Sequence, residues 1–352
     1  MKLTRILLFL LGCLNATLSA RAAPEDFLGS WMLTIEAPGV VPYLARLDIE
    51  LDGTGRPVAF VENGPAPIAI TGDFIELRVD ARDRQGYRFL RVLQGQRDGN
   101  QLSGTLKAED ILETAAEFGE DGAAWSAERL GAGQARDSAD YTLTDYEGTW
   151  APHRGVDLRK YTMALTPAGR EWTEAYDARM DEPQKRCVSP GLAAVATWMF
   201  PFEVIVQEEQ QRLVLLYEAF SQMRRVYLAG PEPEFYPESS MGYSRGRFED
   251  GEVEVETTYL SARTRDFNGE PVGENARIVE RYFLTENGER LNMVMTLHDP
   301  DNYERPPIRR RAWYRNDEAT VLPFECDPDS FFRQLYSEGR MQDYFDRAYM
   351  RP

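Results

Sequence analysis

Histidine and cysteine are almost missing from this 352-residue chain, which carries two of the first and three of the second. That scarcity argues against most metal centres and dithiol redox pairs. His153 and His298 lie far apart with no i, i+4 ligand spacing, and neither a paired CxxC nor an HExxH helix occurs. A glycine-rich phosphate loop is absent as well, so the expectation is no metal and no cofactor. Beyond the first residues, no apolar run approaches the roughly 20 residues that a membrane-spanning helix needs. Positive charge is also in deficit: 40 Lys and Arg face 58 Asp and Glu, a formal charge of −18. So acidic a surface repels nucleic acid and anionic lipid, which makes both poor partners.

What is present begins with an export signal. Lys2 and Arg5 give a positive start, Ile6 to Leu11 an apolar run, and Ala20-Arg21-Ala22 a small-x-small cleavage site. Cleavage after Ala22 predicts a soluble periplasmic or secreted protein with 37 basic against 58 acidic residues. Leu10-Leu11-Gly12-Cys13 also fits a lipoprotein acylation box, behind an unusually short apolar run; lipid anchoring at Cys13 is the lesser alternative. Cys187 and Cys326 remain in the mature chain. In an oxidising compartment such a pair is expected to form a disulfide, with two buried thiols or two metal ligands as the alternatives.

The pattern Asp26-Phe27-Leu28-Gly29-Ser30-Trp31 returns as Asp145-Tyr146-Glu147-Gly148-Thr149-Trp150. Each copy heads a stretch of short alternating strands, which divides the chain into two β-rich units that begin alike. Leu44 to Leu51, Phe74 to Val79 and Tyr87 to Val92 alternate with period two, and Asp52-Gly53 and Asp98-Gly99-Asn100 are turn signals. No long 3.6-residue period interrupts them. The fold class is therefore all-β: two consecutive antiparallel barrels or sandwiches plus a C-terminal helix. The expected organisation is a signal over 1–22, a first barrel-like domain over 23–131 and a linker over 132–144. A second, larger barrel-like domain with long loops occupies 145–326, and a C-terminal amphipathic helix 327–352. In that tail Asp327 is placed to cap and Pro328 to open the helix, and Phe331, Phe332, Leu335 and Tyr336 fall at helical spacing, a stripe expected to dock on the barrel.

Gly-x-Trp at the head of a β-barrel resembles the calycin or lipocalin-like group. The resemblance implies that Trp31 and Trp150 plug one end of each barrel, with a cation from the closing strand over each ring. Arg129 is the cation expected for Trp31, and Arg309, Arg310 or Arg311 for Trp150. The second unit also resembles a widespread family of exported bacterial proteins of unassigned function. That likeness rests on Cys187-Val188-Ser189-Pro190-Gly191, Gly242 to Phe248, Glu252 to Thr258, Glu280-Arg281-Tyr282, Thr296 to Tyr303 and Glu325-Cys326, and it confers no activity.

Three constellations are candidates for chemistry. Gly242-Tyr243-Ser244-Arg245-Gly246 fits the nucleophile-elbow expression, but Arg247 to Leu260 alternate like a strand, whereas an elbow needs a helix after its serine. A turn or bulge entering a strand is the simpler reading of those glycines. His298 ends the strand Leu291 to His298, on the face opposite Leu291, Met293, Met295 and Leu297. With Glu280 and Asp299 it would supply an imidazole and two carboxylates for acid–base work, unless it is a solvent-facing histidine at a strand end. Finally, Tyr259, Tyr282, Met293, Met295 and Trp313 would wall a pocket, with Arg281 or Arg311 fixing a polar end and the loop Pro231 to Ser240 as its lid.

The leading expectation is an exported protein that binds a small, largely apolar or amphipathic molecule in the second barrel. The first alternative is a cofactor-free lyase, isomerase or hydratase using His298, Glu280 and Asp299. The second is an envelope interaction module using the aromatic tail.

Overall fold

The computed structural model describes residues 24–36, 43–82, 88–109, 122–130, 141–152, 160–161, 163–198, 200–264 and 269–347. The signal segment, the acylation box, His153 and most of the linker lie outside the described residues. No helix among the described residues is long and apolar enough to cross a membrane.

The first unit is built from β1 (Gly29–Glu36), β2 (Tyr43–Leu51), β3 (Pro57–Val61), β4 (Gly64–Ala66), β5 (Ile68–Thr71), β6 (Phe74–Arg82), β7 (Arg88–Asp98), β8 (Gln101–Glu109) and β9 (Ala123–Arg129). Sequential strands pair antiparallel, and β9 returns to β1. The ring is completed across Pro67, where β4 pairs β3 and β5 pairs β6. Proline has no N–H to give a ladder, so the break falls where a ladder is cheapest to interrupt. Alternation then sends Trp31, Leu33, Ile35, Leu47, Ile49, Ile75, Leu77, Leu102, Leu106 and Trp125 into a buried core. Gly95 and Gly104 face each other in register. A Cβ on Gly95 would lie 2.6 Å from the Trp125 ring, and one on Gly104 1.9 Å from the Gln94 carbonyl. The indole occupies that space and donates to the carbonyls of Gln94 and Thr105.

The second unit contributes β10 (Gly148–Pro152), β11 (Lys160–Tyr161), α1 (Pro167–Ala175), α2 (Leu192–Val195), β12 (Phe202–Gln207), β13 (Arg212–Tyr217), β14 (Gln222–Tyr227), β15 (Tyr243–Glu249) and β16 (Glu252–Thr258). Then come β17 (Arg263–Thr264), β18 (Pro271–Val272), β19 (Arg277–Thr285), β20 (Arg290–His298), β21 (Ile308–Arg315), α3 (Pro328–Ser337) and α4 (Met341–Asp346). Nine of these strands close into a barrel in the order β10-β12-β13-β14-β15-β16-β19-β20-β21. A ring whose neighbours all run antiparallel needs an even number of strands, so nine force a parallel pair. That pair is β14 with β15, where Val226 stands beside Ser244. Parallel neighbours need a connection that travels back along the wall, and the loop Pro231 to Ser240 lies in it. Its Tyr236 ring packs on Tyr243 at 4.9 Å and Tyr259 at 6.0 Å, and Tyr243 points away from the interior that its neighbour Ser244 faces. The loop thus lies against the outer wall, and at its end the Ser240 carbonyl accepts from the Leu192 amide at 2.8 Å.

The barrels are joined. β11 adds to the first sheet beside β6. Arg310 pairs with Glu62 at 2.6 Å, and Arg305 lies 3.8 Å over the Phe60 ring. Burial pushes the Glu62 carboxyl above its ordinary pKa against the pull of Arg310. The tail is two short helices broken at Gly339, whose φ of +70° suits glycine. Phe331, Leu335 and Tyr344 form their own cluster apart from the main core. The tail docks on residues 177–187 through the Cys187–Cys326 pair, at disulfide distance with Cα atoms 5.7 Å apart, and through Arg347 on Asp181.

Candidate functional site: the interior of the second barrel

Strand parity defines the chamber. On β19 the buried residues are Ile278, Glu280, Tyr282 and Leu284, and the alternate positions turn outward. Opposite them β20 offers Leu291, Met293, Met295 and Leu297, and β21 turns Arg309, Arg311 and Trp313 the same way by register. From β14 come Arg224 and Val226, from β15 Ser244, and from β16 Val253, Val255 and Thr257.

At the centre sits an ion pair shut off from water. Arg224 and Glu280 side chains are 2% and 0% exposed. Arg224 Nη1 donates to Glu280 Oε1 at 3.1 Å and Nη2 to Oε2 at 2.5 Å, the parallel fork that a guanidinium makes with a carboxylate. Its Nε donates to Ser244 Oγ at 2.8 Å and Nη2 to Thr257 Oγ1 at 2.7 Å. The Tyr282 hydroxyl donates to Glu280 Oε1 at 2.7 Å. Burial alone would lower the Arg224 pKa, but the Glu280 carboxylate outweighs it and the net shift is upward. Burial first, then Glu280, raises Tyr282 well above the usual phenol value, so it stays a proton donor.

The Tyr217 hydroxyl and Trp313 Nε1 are among the polar atoms of this interior that are poorly matched. The Tyr217 hydroxyl lies among Arg224, Glu280 and Tyr282; Arg224 and Tyr282 are near enough to pull its pKa down against burial, but neither is aligned for a full hydrogen bond. Trp313 Nε1 likewise meets no acceptor. Phe202 stands between the two rings, 5.5 Å from Tyr217 and 5.0 Å from Trp313. A buried donor without an acceptor costs about 1–3 kcal/mol, so such groups call for an explanation.

Both ends are shut. Below, Tyr146 Oη donates to the carbonyls of Gly251 and Tyr282, and Trp150 plugs the ring. Above, Leu192 to Thr197 are buried, and Arg311 Nε donates to the Thr197 carbonyl at 2.5 Å. Near the floor a cavity of about 20 Å³ remains, bounded by Tyr146, Phe202, Leu215, Val226, Val255 and Tyr282, room for roughly one water.

The residues expected from sequence divide between the faces of the wall. Tyr282, Met293, Met295, Trp313 and Arg311 share the interior with Glu280. Arg281 turns outward, 4.9 Å over the Phe283 ring and paired with Glu252 at 3.3 Å, so it anchors nothing inside. Tyr259 is also outside, against Tyr236, with φ of +54°. His298 pairs in register with outward Arg277, and its pKa is lowered by burial and by that cation. Asp299 is buried elsewhere, accepting from the Gly273 amide at 2.9 Å and Asn302 Nδ2 at 2.8 Å. His298, Glu280 and Asp299 therefore do not converge, because adjacent strand positions face opposite sides. Ser244 is no elbow nucleophile: it lies within β15, held by Arg224 and Thr257. The cation over Trp150 is Arg315 at 4.5 Å rather than Arg309, Arg310 or Arg311, while Arg129 lies 4.1 Å over Trp31. Sequence reasoning missed Arg224, Tyr217 and Thr257. Arg224 is masked by Arg225 beside it, since two adjacent arginines hide which one faces in.

Among the described residues no three His, Cys, Asp or Glu side chains gather as a metal would require. Compared with known proteins, the chain matches no family model and no curated protein.

Proposed function

We propose that the second barrel is a closed binding chamber for a small, largely apolar molecule that carries one hydrogen-bond-accepting group, a carbonyl or carboxylate. The observation that supports this reading is the fully buried Arg224–Glu280 centre, with Tyr217 Oη and Trp313 Nε1 poorly matched beside it, among the apolar side chains of β19, β20 and β16. Stability alone gives little reason for such a centre, since replacing a buried ion pair with hydrophobic residues is often neutral or stabilising by about 1–4 kcal/mol. An acceptor that reaches Tyr217 Oη or Trp313 Nε1 would match a donor, while Met293, Met295 and Phe202 hold the apolar body. The present cavity is too small for such a guest, so entry requires residues 191–198 to swing away. Their small side chains, Ala193, Ala194 and Ala196, leave fewer contacts to break than larger ones would. Export to an oxidising compartment belongs to the same reading and is supported by the Cys187–Cys326 pair.

Native mass spectrometry of the protein as purified, followed by a panel of fatty acids, aryl carboxylates and ketones, tests the proposal. A bound molecule that slows amide exchange across 191–198 and is lost in Tyr217→Phe/Trp313→Phe is expected. Protein that stays empty against the whole panel ends this reading.

A further inference from the structure

The chain has a second concavity, far simpler than the barrel. Between the tail helices and residues 179–185 lies a half-open groove of about 280 Å³. Phe331 and Leu335 form its apolar floor, and Ser330 and Gln334 stand along one side. Its rim is positive: Arg179, Lys185 and Arg340 all line it, against Glu338 alone.

Charge here runs against the rest of the molecule, in which acids outnumber bases 58 to 40. Arg340 is spoken for, within 4 Å of Asp177, Glu338 and Asp343. Arg179 and Lys185 are different. Both are exposed, and neither side chain makes an ion pair among the described residues. The groove is also held in shape, because the tail is clasped to residues 177–187 by Cys187–Cys326, by Arg347 on Asp181 and by Arg340 on Asp177. Two unmatched cations at the lip of a fixed apolar trough are complementary to a molecule that is anionic at one end and oily at the other.

The geometry points to a binding site for a small organic carboxylate, its charge between Arg179 and Lys185 and its hydrocarbon on Phe331 and Leu335. The volume sits at the low end of ligand pockets, roughly 300 Å³, which favours a single short chain or ring. A guanidinium and an ammonium donate together to one carboxylate, and charge-assisted bonds are the stronger kind.

Octanoate and octylammonium, identical in chain and opposite in charge, make the test. The protein's net charge favours the ammonium, so octanoate preference read at Leu335, apart from the barrel's Met293 and Met295 methyls, isolates the groove. Titrations of the full chain would be followed by NMR at the Leu335 methyls and the Gln334 side-chain amide. Saturable shifts with octanoate, none with octylammonium, and at least tenfold weaker binding in Arg179→Glu/Lys185→Glu are expected, with Arg225→Glu, exposed on β14 and not part of the groove lining, as the silent control. Both reversed positions are exposed, so folding is spared. Equal binding of the two probes, or less than a threefold loss in the double variant, overturns the site. Octanoate that moves only the Met293 and Met295 methyls overturns it too, and would favour the barrel chamber, so the two readings fail separately.

Discussion

The two barrels share one closing device and differ in what they close over. In the first, Trp31 Nε1 donates to the carbonyl of Phe27 at 2.9 Å; in the second, Trp150 Nε1 donates to Tyr146, also at 2.9 Å. Arg129 is the direct cross-strand partner of Trp31, and Arg315 of Trp150. Each guanidinium covers its indole and donates to two carbonyls of the preceding turn, Leu28 and Asp26 or Glu147 and Asp145. Gly29 at φ +124° and Gly148 at φ +126° are needed for that approach, since a Cβ would come within 2.9 Å of the guanidinium in either case. Behind the plug the likeness ends. The described core of the first barrel is mostly aliphatic side chains with Trp125 and one buried cation, Arg91, on the inward face of β7, whereas the second is organised around an ion pair and its hydroxyls. A motif that shuts a barrel therefore carries no information about its contents.

The largest expected difference comes from breaking the inner pair. Glu280→Ala leaves Arg224 buried and unpaired, and should cost the second barrel about 3–5 kcal/mol. Removing both charges in Arg224→Met/Glu280→Leu should restore most of that stability or exceed it. Urea unfolding, with hydrogen exchange resolving each barrel, measures both; a double variant as damaged as the single one would show that the polar centre is not a coupled unit.

A middle-sized effect sharpens the likeness. Arg129→Ala and Arg315→Ala should each lose ~0.5–2 kcal/mol of cation–π attraction, together with their carbonyl hydrogen bonds. Because the two geometries match, the two losses should match as well. Exchange rates near Phe27 and Tyr146 would report them, and a clear loss in only one barrel would mean that one plug is ornamental.

The smallest effect tests the outer wall. His298 has a folded pKa below its ordinary 6.5, so its contribution to stability is present above pH 6.5 and is lost as pH falls toward the lower folded value. His298 is half-buried, and as a single group it changes the slope by less than one proton. His298→Asn should flatten it while leaving chamber occupancy unchanged; a drop in occupancy would place His298 back in the binding machinery.

Much of the architecture was legible because its causes are local. The Trp-to-carbonyl bond spans four residues, alternation marks the strands, and Asp327 with Pro328 opens α3 as expected, the Asp327 side chain accepting from the Asp329 amide. Arg129 was readable because β9 runs straight into the linker. Arg315 was not, since which arginine of β21 meets Trp150 depends on the register at which a nine-stranded ring closes. The chamber was half legible: Met293 and Met295 belong to a plain apolar row. Arg224, paired with a carboxylate 56 residues away, has no sequence neighbour that marks it as buried.

By itself, the order of residues settled that two β-rings form, where each starts and what stoppers it, because turns, alternation and a four-residue plug act over short distances. Only the folded chain decided which charges ended up inside. Whether a side chain points in or out depends on strand parity within a closed ring, and a charge survives there only if a distant strand brings its partner to the same depth.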